Sequence, residues 1–252
     1  MPRTMLTDDA WEILKVLLKE SGRVYNKYEH RNTLEGILYR MRTGIQWRDL
    51  PSEFGLWNTV YRRFNLWSKN GILQKLFESL ASEGDPEWLF LDGSIVKAHQ
   101  DSSGTAGKQD EAIGKSRSGN STKIHLAVNS GGLPVYFELS GGQVNDIVHA
   151  QSLILNSPQA DIVCADKGYD SESLRQQIRD KGAVPVIPRK GNSTIGNGDI
   201  DWCLYKYRHL VENAFARIKH YRAISSRYDK LERNYASMVS LAFMLMWLPM
   251  HC

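Results

Sequence analysis

The chain has 252 residues, 42% of them hydrophobic, enough for one large domain or for a medium domain plus a small one. Its formal net charge of +4 is too small to identify a nucleic-acid partner by itself. Cys164, Cys203 and Cys252 form no CxxC pair, the N-terminus lacks a signal-peptide pattern, and the longest apolar run, Met238 to Leu248, is too short for a bilayer; a cytoplasmic protein with free thiols and a buried terminal helix, and no membrane partner, is expected.

Residues 1 to about 84 read as an all-helical domain. Thr7 and two aspartates open TDDAWEILKVLLKE as an N-cap and a dipole-matched first turn. Further helices are expected over Thr33 to Arg42, stopping at Gly44, over Asn58 to Lys69, and over Ile72 to Ala81. The helix bearing Tyr61, Arg62, Arg63, Trp67 and Lys69 mixes aromatics with cations, as the recognition helix of a helix-turn-helix unit would, which makes Arg62 and Arg63 candidate DNA contacts. The other reading is a small bundle. Trp47, Trp57 and Trp67 are expected to pack internally in both.

After ASEGDPEW the pattern turns strand-like, which sets a second domain at 85–252. The runs WLFLDGSIVKA, STKIHLAVN and GLPVYFELS read as three strands, the last two joined as a hairpin through Ser130-Gly131-Gly132. A helix over Asp146 to Leu155, a strand DIVCAD, a helix over Ser171 to Lys181 and a strand AVPVIP follow. The Gly- and Ser-rich stretches QDSSGTAGKQDEAIGKSRSGN and RKGNSTIGNGD read as mobile surface loops. Asn145-Asp146 is read as a helix N-cap. Lys123 and His125 alternate on one strand face that could adjoin Asp92; ordinary solvated strand positions are the expected account. Lys167 and Asp170 flank Asp166, with turn formation as the competing role. His99, His149 and His251 show no metal-ligand spacing.

The final segment, from Tyr205 to Lys230, reads as one helix. Tyr205, Arg208, Glu212 and Lys219 fall within about a 60° arc on it, while Val211, Ala214, Phe215 and Ile218 give it an apolar side to bury. From Tyr205 to Arg233 there are eight Lys or Arg against three Asp or Glu, a local excess suited to a polyanion. Asp92, inside the first strand, would be costly unless a cation neutralised it, and Asp166 closes another apolar run. Neighbouring strands can bring these two together, and the last helix can lower Glu212 onto them. Such an oxygen-only set selects Mg²⁺ or Mn²⁺, and two ions about 4 Å apart would serve in-line attack on a phosphodiester.

The element order, an α/β fold with mixed sheet and flanking helices behind a small all-α domain, resembles the ribonuclease-H-like arrangement. The Tyr205, Arg208, Glu212, Lys219 signature, LDGSIVKAH, ADKGYDS and the leader RNTLEGILYRMRTGIQWRDLPSEFGLWNTVYRRFNLW resemble a bacterial insertion-sequence transposase of the IS4/IS5 group over nearly the whole chain. The resemblance implies that Asp92, Asp166 and Glu212 are the DDE catalytic and metal-holding triad. It implies that Arg208 and Lys219 hold phosphates and that Tyr205 braces the same face. The implied partners are double-stranded terminal inverted repeats and target DNA, handled by a homodimer or larger assembly. A nuclease of the same superfamily and a DNA-binding regulator with a vestigial core are the alternatives.

Overall fold

In the computed structural model, which describes residues 2–21, 29–82, 84, 87–102, 112–117 and 119–249, Thr7 Oγ1 accepts the Ala10 N–H at 3.0 Å and so starts α1 (Asp8–Glu20). Ala10, Leu14 and Leu18 form its buried stripe. Helix α2 (Glu29–Thr43) begins earlier than its sequence pattern and ends at Gly44, whose φ of +69° is left-handed. Single 3₁₀ turns at Trp47–Asp49 and Ser52–Phe54 lead to α3 (Trp57–Lys69), and α4 (Ile72–Ala81) follows.

The chain divides into two compact units, residues 1–80, 98–111 and 218–252 in one and 81–97 and 112–217 in the other. The expected division into 1–84 and 85–252 differs, because the terminal helix α10 (Glu232–Trp247) groups with the N-terminal helices. The parts of the expected boundary and first loop at 85–86 and 103–111, together with His251 and Cys252, lie outside the described residues.

The second unit is built on β1 (Trp88–Ala98), β2 (Gly114–Ser116), β3 (Gly119–Val128), β4 (Pro134–Gly141), α5 (Ile147–Asn156), β5 (Ile162–Ala165), α6 (Glu172–Asp180) and β6 (Val184–Val186). The sheet runs β2-β3-β1-β5-β6, with β4 also on β3. β1 is antiparallel to β3 and parallel to β5, and β5 is parallel to β6, which makes the sheet mixed. β2 was hidden in the sequence inside a stretch read as loop; it is held by pairing with Gly119 to Ser121 of β3. The second predicted loop is likewise clasped, since the buried Arg189 bonds Asp199 at 2.5 and 2.8 Å and the Gly196 carbonyl at 3.0 Å.

The expected single helix from Tyr205 to Lys230 is broken. It is α7 (Trp202–Tyr205), a 3₁₀ turn Lys206–Arg208, α8 (His209–Lys219), α9 (Arg222–Ser225) and a two-residue strand. Asp201 caps α7 by accepting from the Cys203 and Leu204 N–H groups at 2.9 and 3.0 Å. His209 Nδ1 lies 2.8 Å from the Lys206 carbonyl at this junction. Val211, Ala214, Phe215 and Ile218 are all buried, so the predicted apolar side stands.

In the first unit, α10 is buried on nearly every side, as an apolar run without a polar face requires. Phe243 packs on Phe77 and Asn234 bonds Asn65 at 2.9 Å. Arg40 makes a two-pronged bond to Asp229 at 2.9 and 3.3 Å, both side chains buried. The buried Glu35 accepts the Met5 and Leu6 N–H groups at 2.8 and 2.9 Å and ties down the segment before α1. Trp67 is buried, but Trp57 is 37% exposed with Arg48 over its ring, against the expectation that it packs inside; it sits at the solvent side of α3 with Leu56 and Tyr61.

Candidate active site

Strand register brings the two aspartates together. Leu91 of β1 pairs with Ala165 of β5, and Asp92 and Asp166 are the next residues along two parallel neighbours. Burial raises the Asp92 carboxyl above its ordinary pKa and the Asp166 charge pushes the same way; the Gly93 N–H at 2.8 Å and the Arg208 guanidinium only partly offset them. Asp166 Oδ1 accepts the Gly168 N–H at 2.7 Å, so it also caps the turn Lys167–Tyr169.

Arg208 reaches the same place from the turn before α8. Its Nη1 donates to Asp92 Oδ2 at 3.1 Å and its Nη2 donates to Glu212, four residues on. Tyr205 hydrogen-bonds Arg208, and burial holds its phenol above the usual value. The predicted signature face is therefore real at Tyr205, Arg208 and Glu212 despite the broken helix. Lys219 ends α8 and belongs to the first unit, as do Arg62, exposed on α3, and Arg63, which lies 6.0 Å over the Trp67 ring.

Asp92, Asp166 and Glu212 do not stand as one grouped set of metal ligands. Among the described residues no three His, Cys, Asp or Glu side chains are grouped to hold a metal ion. The reason is the Arg208 guanidinium, which stands between Asp92 and Glu212 and bonds both. Asp92 and Asp166, oxygen donors that repel each other in a part-buried place, fit a hard divalent cation. Glu212 is 52% exposed and is held by Arg208 instead of by the pair.

On the opposite face of β1 lies a cluster that the sequence disguised. Gly93 pairs with His125 and Ile95 with Lys123, whereas Asp92 pairs with Leu126, so Lys123 and His125 project away from the Asp92 side. Both are buried, which overturns the reading of solvated strand positions. Asp146 stands at the N-cap position of α5 as expected, but its side chain makes no capping bond; its carboxylate meets Lys123 Nζ at 3.2 Å instead. His125 stacks on His149 at 4.1 Å, and His149 Nδ1 lies 2.6 Å from Glu138, which also accepts from Tyr136 at 3.0 Å and from Ser152. Burial would raise Glu138, but these bonds hold it below the usual carboxylate range. Asp170 bonds Arg175 and the Lys190 N–H, both at 2.8 Å, so its role is to fix the turn. Tyr169, within ADKGYDS, is fully buried with its hydroxyl unpartnered; burial and the nearby Asp146, Asp92 and Asp166 raise its pKa. Cys164 is pushed up to about 12 by burial, an inert thiol, while Cys203 is free and exposed.

The sheet is mixed and flanked by helices, and it sets Asp92, within β1, beside Asp166, just past the end of the parallel neighbour β5. Residues 6–77 match the model described as putative transposase of IS4/5 family, and 83–199 and 163–249 match two models described as transposase DDE domain. A putative transposase for insertion sequence element IS6501 from Brucella ovis is 33% identical over 50% of this chain and 98% of its own length. An uncharacterized protein, y4sN, from Sinorhizobium fredii is 37% identical over 39% of this chain and 81% of its own. A piggyBac transposase synaptic complex with hairpin DNA aligns with a TM-score of 0.36 and 14% identity, over 75% of this chain and 43% of that one. The chain belongs to the IS4/5 family of DDE transposases, and is a DNA transposase of that metal-dependent phosphoryl-transfer class. No helix among the described residues is long and apolar enough to cross a membrane.

Proposed function

We propose that this transposase binds the terminal inverted repeats of its own element, cleaves a strand to free a 3′-hydroxyl and joins that end to target DNA. Asp92, Asp166 and Glu212 carry the chemistry and hold Mg²⁺ or Mn²⁺, two ions in the complete site. The metal supplies activation of the attacking water or hydroxyl and stabilisation of the leaving oxygen. Glu212 comes free for this when Arg208 turns its guanidinium to a DNA phosphate, an exchange of one anionic partner for another. Tyr205 keeps Arg208 in place, and Lys219, Arg62 and Arg63 meet the DNA backbone. The enzyme works on cytoplasmic, nucleoid DNA as a homodimer or larger assembly, since two ends must be handled together. The observation that carries the reading is the adjacency of Asp92 and Asp166 beside Arg208 and Glu212.

Purified full-length protein with end DNA and Mg²⁺ tests it. Wild type should cut at the ends, and Asp92→Asn should bind but not cut. Cutting retained in Asp92→Asn removes Asp92 from the chemistry. Footprints confined to no particular sequence would favour the nuclease alternative, and failure to crosslink paired ends would remove the assembly.

A further inference from the structure

We infer that Asp146, held by Lys123, is a positioning residue for Asp92, acting through Gly93; the inference rests on Asp92 belonging to the reaction centre. The chain of contacts starts at Gly93. A Cβ at this position would overlap Asp146 Oδ1, so the carboxylate occupies the space in which any other residue would place its side chain. Glycine is needed there for close approach. The same residue's N–H donates to Asp92 Oδ1 at 2.8 Å. Whatever fixes the Gly93 backbone therefore fixes the direction of the Asp92 carboxylate on the other face of the strand.

Asp146 is itself held by Lys123, with the His125 ring alongside. Lys123 Nζ lies 3.2 and 3.3 Å from its two oxygens and donates to the Val144 carbonyl at 2.7 Å, which anchors the turn before α5 to β3. His125 places Nε2 at 2.8 Å from Ser140 Oγ and Nδ1 at 3.5 Å from Asp146 Oδ1. The Nδ1 contact is close but is no hydrogen bond, and Ser140 Oγ also reaches the Gly141 carbonyl at 3.2 Å. An ion pair this well enclosed, Lys123 only 10% and Asp146 30% exposed at the side chain, costs desolvation and has no apolar rationale. Its contact with the glycine next to Asp92 supplies one.

The experiment uses the full chain with end DNA. Single-turnover cleavage, end affinity, thermal midpoint and Mn²⁺ binding by the DNA-free protein are measured for Asp146→Asn, Lys123→Met and the double variant. Asp146→Asn keeps the shape against Gly93 and loses the charge that Lys123 grips. Each single variant should slow cleavage about 10- to 100-fold and weaken Mn²⁺ binding, with end affinity near wild type, as for groups that orient a metal-site ligand. The double variant should be no slower than the worse single one, because one device is lost once. Wild-type cleavage and Mn²⁺ binding in Asp146→Asn, or additive losses, overturn the inference. If Asp146→Asn does not fold, Lys123→Met decides alone, and an unchanged cleavage rate there overturns it. Asp92→Asn runs alongside: should it still cut, the reading of the reaction centre fails, whereas its inactivity beside a fully active Asp146→Asn defeats only the positioning role.

Discussion

Arg208 donates to Asp92 Oδ2 at 3.1 Å and to Glu212 through its other terminal nitrogen, so one guanidinium serves the first and third acids at once. Lysine, a single point donor, cannot span both. Arg208→Lys should lower strand cleavage about 10-fold or more. The Glu212 arm is an exposed pair four residues apart, worth about 0.5 kcal/mol, so any fall in the thermal midpoint should come mainly from the part-buried Asp92 arm. Single-turnover kinetics beside a melting curve checks both.

His125 imposes a pH dependence on folding. Burial, then the His149 and Lys123 charges, lower its pKa from 6.5 to about 3, so the folded state refuses a proton that the unfolded chain takes up. Stability from this group is complete above pH 6.5 and is lost as pH falls from there towards 3, at about 1.4 kcal/mol per pH unit. Denaturant titrations at pH 6, 5 and 4 should approach that slope, which is about half as steep around pH 6.5, and it should be reduced in His125→Asn.

The Arg40 to Asp229 pair is buried on both sides. Arg40→Met should cost about 3–5 kcal/mol by leaving the carboxylate without its partner. Replacing Asp229 with leucine in the same chain should recover much of the loss, as read by chemical denaturation.

At Gly44 the left-handed backbone and a neighbour act together, since an added Cβ would meet Arg222 Cβ at 2.9 Å. Gly44→Ala should destabilise by about 1–3 kcal/mol. A calorimetric midpoint unchanged from wild type would contradict this.

Asp92 and Asp166 were legible in the sequence because each interrupts or ends an apolar run, and parallel neighbours align such ends. The interruption before α8 was not, because its apolar spacing continues through the turn and only the side-chain bond of His209 to the Lys206 carbonyl marks it. The Asp146 carboxylate was misread for a related reason. Asn-Asp before a helix carries the pattern of a cap, and nothing local announces that Lys123, on a different strand, claims the carboxylate. The third acid was recognisable by spacing, but its capture by Arg208 depends on which cation is nearest in space.

The grouping of residues 218–252 with the first helices fixes an order on the ribosome. The sheet unit has all of its residues made once residue 217 is added, while α1 to α4 still await α10, the apolar helix that Phe77 and Asn65 pack against. The nascent chain must therefore carry uncovered N-terminal apolar surface throughout synthesis of the sheet unit, a window in which chaperone binding and premature termination would matter most.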